Sequence, residues 1–548
     1  MKKASIPALA VLAVMMFCPG HRVYAQVSQT PPMGFNTYDC LDYSAADSAV
    51  KQLADTMASR YLQYGWNYLC LDWCWSFPGT GTSQPNQVFV NNAPTAATRL
   101  NMDSCGRLMP DTIRHPSAVG GAGLGPLIAY VHGKGLKFGL HIMRGIPRQA
   151  VMANTPIYGS SYTAANAASL TDTCSWLNQM YGLNFNTAAA AAYIKSIFSL
   201  YASWGVDYIK IDDLENSLVS PRTTFKTYIQ AYRAAIDSCG RPMVFSTSPG
   251  ATPIGDSAFF EKYANQWRMA DDLWDNWANV DTMLSLFVKW HRCAAPGHFP
   301  DADMIPIGYL SEHGPNGSPR YSSLTRSQQY LLMTMWCIGR SPLIWGGDLR
   351  KNRPAEDSLM TNPEVIAVNQ QGTNGRPITA TASTLVWASD NPDSANVVWV
   401  ALVNRSTSSA TITVNVDTLG VPNCTARNLW TRTTLSGTFA SSFQQTIAAQ
   451  SAGLYKLVAP TTAVVRRMPA TNLSPLRSET TMPVAGNRFV VPRAYAGTPV
   501  NLDVFDMAGK RVGLLRNVRG TVDLRVIGAT ASNSYIVRIR PAVRGEMP

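Results

Sequence analysis

The chain has 548 residues, 46% of them hydrophobic and 15% charged, with 39 Gly and 35 Pro. At about 150 residues per domain it has room for three or four domains, and its composition fits neither a disordered nor a collagen-like chain. The formal charge is +12, but residues 1–25 carry +3 and residues 461–548 carry +8. The body is therefore nearly neutral, which argues against nucleic acid as a partner despite a basic total.

Lys2 and Lys3 precede an apolar stretch at 6–18, and Val23-Tyr24-Ala25 offers a cleavage site before Gln26. This predicts a signal peptide over residues 1–25. Cys18 suggests a lipoprotein, but Met16-Phe17 lacks the small residues such processing prefers. Beyond residue 30 no apolar run reaches the roughly 18 residues of a membrane span, so no transmembrane segment is expected. Nine cysteines follow the cleavage point, an odd number, and none forms a CxxC pair. Disulfides suit an exported chain, with at least one thiol left free or shared between chains.

Eight short apolar runs follow, at 33–36, 68–72, 136–142, 206–212, 243–246, 266–271, 304–307 and 342–345. Strands buried on both faces read as continuous apolar runs. The stretches 44–61 and 188–204 carry apolar residues at helical spacing. Gly65, Gly135 and Gly205 each stand where a helix ends before a strand. Eight strands with helices between them predict a (β/α)8 TIM barrel over residues 26–375, with its active site at the C-terminal strand ends. After Gly372 the texture turns to alternating Val, Thr and Ser, which predicts an antiparallel β-sandwich domain at 376–458. A Pro/Thr/Arg-rich linker is expected at 459–485 and a second small β module at 486–548.

Two strand ends carry chemistry. In Tyr208-Ile209-Lys210-Ile211-Asp212-Asp213, alternation puts Lys210 and Asp212 on one face. The ammonium favours the ionised carboxylate, which suits a nucleophile. In Trp267-Arg268-Met269-Ala270-Asp271-Asp272, a carboxyl desolvated against Trp267, Trp274 and Trp277 would stay protonated, as a general acid does. One charged and one neutral carboxyl on the same rim is the retaining glycosidase arrangement, with the two groups about 5–5.5 Å apart. Asp72, Asp212, Asp213, Asp301 and Asp303 could together ligate Mg2+ or Ca2+, but no ligand spacing is fixed and the histidines are scattered. His141 falls on a strand, where a core or substrate-facing role is expected. No P-loop or GxGxxG opens a helix. No metal and no other cofactor is expected.

Several motifs, in order, resemble glycoside hydrolase family 27: Pro31-Pro32-Met33-Gly34-Phe35-Asn36, Leu69-Cys70-Leu71-Asp72-Trp73-Cys74-Trp75, Tyr208 to Asp212 and Trp267 to Asp272. They are followed by Pro300-Asp301-Ala302-Asp303-Met304, Arg340-Ser341-Pro342-Leu343, Gly347-Asp348-Leu349-Arg350 and Val368-Asn369-Gln370. The resemblance spans about residues 29–375. It implies a barrel followed by a β domain, and a retaining mechanism with Asp212 as nucleophile and Asp272 as acid/base; Asp271 is the adjacent alternative. It further implies that Asp72, Lys210, Arg268 and Asp303 meet sugar hydroxyls and that Cys40 and Cys74 pair.

The departures from the family pattern concern substrate. Asp72 is followed by Trp73, where α-galactosidases have a second acid, and a bulky Trp there could fill the space of the C6 hydroxymethyl group. Phe35 stands where a Trp is usual and could stack on a sugar face. Phe245-Ser246-Thr247-Ser248-Pro249 lacks the Glu used near the 2-hydroxyl, leaving Ser248 as the nearest polar substitute. The first expectation is an α-galactosidase acting on oligosaccharides or polysaccharide side chains. Its rivals are a β-L-arabinopyranosidase, an α-N-acetylgalactosaminidase and a non-catalytic sugar-binding protein. The tail, Val504 to Arg511 with Tyr535 to Ile539, is similar to C-terminal sorting modules of Gram-negative bacteria. That resemblance implies a protein outside the cell, in the periplasm or on the cell surface of such a bacterium; the alternative reading of the tail is an ordinary accessory β-sandwich.

Overall fold

The computed structural model describes residues 27–81, 99–174, 177–216, 223–313, 317–460, 480–485, 488–490, 500–506, 511–518, 521–527 and 534–541. The expected signal peptide lies outside them, as does most of the expected linker. Eight parallel strands form the centre: β1 (Met33–Asn36), β2 (Tyr68–Leu71), β3 (Lys137–Met143), β4 (Tyr208–Asn216), β5 (Val244–Gly250), β6 (Gln266–Arg268), β7 (Phe299–Asp301) and β8 (Leu343–Trp345). Their order in the sheet is β7-β6-β5-β4-β3-β2-β1-β8. A parallel bridge between Ile305 and Trp345 joins the two ends. The principal helices alternate with the strands: α1 (Asp47–Thr56), α2 (Gly125–Gly133), α3 (Ala188–Trp204), α4 (Lys226–Ser238), α5 (Ser257–Tyr263), α6 (Trp277–Trp290), α7 (Arg326–Ile338) and α8 (Pro363–Gln371). This is the TIM-like barrel read from the sequence.

One strand lies elsewhere than expected. The seventh is Phe299–Asp301 rather than 304–307, because its ladder partners are Gln266, Trp267 and Arg268 of β6. The apolar run at 304–307 supplies the Ile305 bridge that closes the circle. Helix ends follow local chemistry. Gly205 terminates α3 at φ 99°, and its N–H caps the carbonyls of Tyr201 and Ala202. Thr325 and Gln328 form a capping box at the start of α7.

An antiparallel sandwich follows: β9 (Thr373–Ala380), β10 (Thr384–Asp390), β11 (Val397–Asn404), β12 (Ala410–Asn415), β13 (Thr425–Asn428), β14 (Thr433–Thr434), β15 (Ser442–Ile447) and β16 (Ser451–Val458). Every residue of β11 is buried, and parity explains why. Val398, Val400 and Leu402 fill the sandwich core, whereas Trp399, Ala401 and Val403 join the barrel's core. A strand covered on both faces needs an unbroken apolar run. Polar ties reinforce the seam: Gln328 Nε2 donates to Gln450 Oε1 at 2.6 Å and Trp430 Nε1 to Thr334 Oγ1 at 2.9 Å.

The chain divides into two compact units, Met1–Arg466 and Arg467–Pro548. The second contains β17 (Thr480–Ala485), β18 (Arg488–Val490), β19 (Val500–Asp506), β20 (Arg511–Val518), β21 (Thr521–Asp523) and β22 (Ser534–Pro541). Val500, Leu502, Val504, Tyr535, Val537 and Ile539 alternate onto its core. No helix among the described residues is long and apolar enough to cross a membrane.

Candidate active site

Alternate residues of each barrel strand face the axis. At the bottom, Tyr68, Cys70, Tyr208 and Val244 form their own apolar cluster. Gly139 admits it, since a Cβ there would lie 3.0 Å from the Cys70 side chain. Gln266 links this plug to the polar layer above: its amide donates to the Tyr208 hydroxyl at 2.7 Å and to Asp301 Oδ2 at 3.0 Å.

On the β2–β4 side, Lys210 stands between two carboxylates. Its Nζ donates to Asp72 Oδ2 at 3.1 Å and lies 4.0 Å from Asp212 Oδ1. Asn36 Nδ2 donates to the same Asp72 oxygen at 2.6 Å. His141 Nε2 is 2.9 Å from Asp212 Oδ2, and Asp212 Oδ1 is left without a hydrogen bond. Burial pushes the Asp212 carboxyl up, but the Lys210 ammonium, His141 and nearby Ser248 outweigh it and hold the group well below the usual carboxylate range. Asp72 is held low in the same way, burial being overcome chiefly by Lys210. The strand end itself is pinned. Arg144 N–H donates to the Asp212 carbonyl at 3.0 Å, and its guanidinium grips Asp213 at 2.8 Å and Asp172 at 2.7 Å. Asp213, at φ 64°, thus turns to Arg144.

On the β6–β7 side, Arg268 repeats the plan. Its Nη2 lies 2.6 Å from Asp303 Oδ2 and 3.1 Å from Asp272 Oδ1. Asp303 also accepts the Leu273 N–H at 2.7 Å. Burial pushes the Asp303 carboxyl up to about 7 against the pull of Arg268, with Asp272 and Asp301 adding to the push. The Asp272 side chain is 56% exposed. The two sides share one mouth, since both stand at the C-terminal ends of strands of one closed parallel sheet, and Lys210 feels the charges of Asp212, Asp72, Arg268 and Asp272 together. Among the described residues, no group of His, Cys, Asp and Glu has the arrangement of a metal site.

A family profile described as Alpha galactosidase A matches residues 182–371, and one described as Alpha galactosidase C-terminal beta sandwich domain matches residues 381–457. An alpha-galactosidase of Cyamopsis tetragonoloba is 30% identical over 416 residues, 75% of this chain and 82% of that protein. The solved structure of a GH27 β-L-arabinopyranosidase from Geobacillus stearothermophilus superposes with a TM-score of 0.75 at 39% identity, covering 80% of this chain and 98% of that one. The chain belongs to glycoside hydrolase family 27. Human alpha-N-acetylgalactosaminidase is a more distant relative, 26% identical over 373 residues, 64% of this chain and 72% of that protein.

As a family 27 glycosidase, the protein corrects several expectations about its site. Phe35 does not reach the mouth. It lies on the opposite face of β1 from Asn36 and is 1% exposed within the main core. The rings beside Trp73 are instead Tyr38, edge-on at 6.3 Å, and Phe77 at 5.8 Å. Cys40 and Cys74 both carry free thiols, and Cys40 Sγ points to the Thr37 carbonyl at 3.6 Å, so the expected bridge is not formed. Trp267 does not desolvate Asp272: it packs outward on Trp290, 5.8 Å between rings, while Asp272 stands in solvent. Of the two adjacent acids, Asp272 is the one bonded to Arg268. His141 contacts Asp212, and Ser248 is buried on that side of the mouth. Asp303 reaches Arg268 and the Leu273 N–H. Trp73 is 8% exposed, against Tyr38 and Phe77. Residue-by-residue reading left Asn36 without a role; its place at the end of β1, facing the axis like Asp72 just beyond β2, was the available signal.

Proposed function

We propose that this enzyme is a retaining exo-glycosidase for terminal pyranosides of galacto configuration. Asp212 Oδ1 attacks the anomeric carbon while Asp272 gives its proton to the departing glycosidic oxygen. A glycosyl ester on Asp212 results. Water then loses a proton to Asp272 and attacks the same carbon, which releases the sugar and restores both carboxyl groups. The observation that carries this reading is the pair of cation-bridged carboxylates facing one mouth, one enclosed and one in contact with water. Lys210 and Asp72 would take sugar hydroxyls on one side, and Arg268 and Asp303 on the other.

The sugar we assign is β-L-arabinopyranose, galactose without its hydroxymethyl group. Trp73 supports the choice, since its indole occupies the position beside Asp72 where a second acid would receive the C6 hydroxyl. The 39% identical neighbour is a β-L-arabinopyranosidase. α-Galactoside is the second reading; it agrees with the plant relatives and was the first expectation from the motifs. The buried Ser248 would also suit a 2-acetamido sugar. We further read residues 1–25 as an export signal, residues 459–485 as a linker and residues 486–548 as a sorting module, which puts the enzyme outside the cytoplasm.

Hydrolysis of the nitrophenyl β-L-arabinopyranoside, α-galactoside and α-N-acetylgalactosaminide tests this reading. The arabinopyranoside is expected to show the highest kcat/KM, by at least tenfold. NMR should show the first-formed sugar with unchanged anomeric configuration; an inverted product rejects the ester mechanism. Sugar binding without hydrolysis of any of the three would make the chain a lectin.

A further inference from the structure

Asp39 lies three positions beyond β1, in the short helical segment Tyr38–Leu41 at the C-terminal rim of the barrel. Its carboxyl is completely buried, and neither oxygen has a hydrogen-bond partner. Buried polar groups in folded proteins are nearly always paired. Its own backbone obeys that rule, since the Asp39 carbonyl accepts the Ser311 N–H at 2.8 Å.

The carboxyl is seated in the barrel mouth. Trp345 packs outward, edge-on to Trp66 at 6.1 Å, so the next residue, Gly346, faces the axis. A Cβ on Gly346 would come within 2.1 Å of Asp39 Oδ2. The missing side chain at 346 is the space that the carboxyl fills. The charges that reach Asp39 are those of Asp303, Asp272, Lys210 and Asp72, drawn from both sides of the mouth. Two other mouth residues also keep unpaired donors, Trp73 at Nε1 and Arg268 at Nε. Unspent hydrogen-bonding capacity gathered round one opening is what a polyhydroxylated ring would satisfy.

We propose that Asp39 is a further substrate-binding residue, hydrogen-bonding a hydroxyl of the pyranoside held in the mouth. The proposal rests on the glycosidase reading and adds a residue to it. Burial and the surrounding carboxylates push the Asp39 carboxyl well above its usual range, which favours the protonated form, able to donate as well as accept.

The test measures kcat and KM on the nitrophenyl arabinopyranoside and galactoside, and the rise in melting temperature on adding free L-arabinose or galactose. Asp39→Ala is expected to raise KM at least tenfold and remove most of the sugar-induced rise, with no drop in Tm without sugar. Asp39→Asn, which keeps a donor and an acceptor, should recover most of that loss. Gly346→Ala, which displaces the carboxyl without deleting it, should behave like Asp39→Ala. If Asp39→Ala keeps KM and the sugar-induced rise within twofold of wild type, Asp39 does not touch the substrate. A fall in sugar-free Tm with the rise intact would make it a structural residue, and overturns the proposal equally. Should the wild type hydrolyse neither glycoside yet lose its sugar response on Asp39→Ala, the binding role stands and the hydrolase reading falls. No sugar response in the wild type removes both.

Discussion

The two sides of the barrel mouth share a plan and differ in access to water. Each has one cation set between two carboxylates: Lys210 with Asp72 and Asp212, and Arg268 with Asp272 and Asp303. On the Lys210 side everything is enclosed, with side-chain exposures of 13% for Lys210, 2% for Asp72 and 14% for Asp212. On the Arg268 side, Asp272 stands beyond the end of β6 with 56% of its side chain exposed, although Arg268 itself is 2% exposed. Enclosure makes each neighbouring charge count for more, so the Lys210 ammonium holds Asp212 ionised against its burial. Exposure lets a carboxyl trade protons with solvent between the two halves of a turnover. The asymmetry supports the roles proposed above, in which Asp212 bonds to carbon and Asp272 handles the proton.

The largest effect should come from Asp212→Asn, which removes the attacking oxygen. We expect kcat to fall by at least about 10^4-fold, with sugar binding and fold intact. Retention of more than a few per cent of the wild-type rate would reverse the assignment. Asp272→Asn should cost about 10^2–10^4-fold, and the loss should shrink as the leaving group becomes more acidic, because a good leaving group needs no proton. A loss equal for nitrophenyl and alkyl glycosides would mean that Asp272 does something other than proton transfer.

Trp73 ranks next. One hydroxymethyl group more or less in a pocket is worth about 1–3 kcal/mol, or about 10–200-fold. Trp73→Ala should move the ratio of kcat/KM for arabinopyranoside over galactoside toward galactoside by about 10–100-fold. An unchanged ratio would show that the indole does not border C6.

How far these features were legible in the sequence follows from which forces set them. The barrel was readable because Leu69 to Leu71, Leu343 to Trp345 and their counterparts are buried on both faces, which writes the strand into an unbroken apolar run. The seventh strand was misplaced because Phe299-Pro300-Asp301 carries too little apolar signal; its partner β6 creates it. Asp212 and Lys210 were legible because two-residue alternation alone puts them on one face. Phe35 was misread for the same reason in reverse: only the observed side of Asn36 shows which face of β1 looks inward. Asp39 left no trace in any pattern. Its seat depends on Gly346, more than 300 residues away along the chain, and contacts at that separation are made by the closed barrel.

Glu215 gives the smallest and most controlled expectation. It lies three residues beyond Asp212 on β4 and is more deeply enclosed, 2% exposed, and no ammonium or guanidinium is bonded to it. Thr247 Oγ1 donates to one of its oxygens at 2.8 Å and Thr252 Oγ1 to the other. Burial pushes its carboxyl up to about 7, and those hydroxyls and the more distant Arg268 only partly offset it. On one strand, then, two enclosed carboxyls shift in opposite directions, and the Lys210 ammonium beside Asp212 is the main difference. The consequence for stability has a definite sign. A carboxyl raised from about 4.3 when unfolded to about 7 when folded contributes stability fully below the unfolded value and loses it as pH rises through 7. The loss is roughly 4 kcal/mol across that window. Glu215→Gln should therefore match wild type in urea unfolding near pH 4.5 and be the more stable protein at pH 8, with a residual slope left by Asp303. Equal pH slopes for variant and wild type would show that Glu215 is ionised in the fold, and that burial on β4 is outweighed even without a bonded cation.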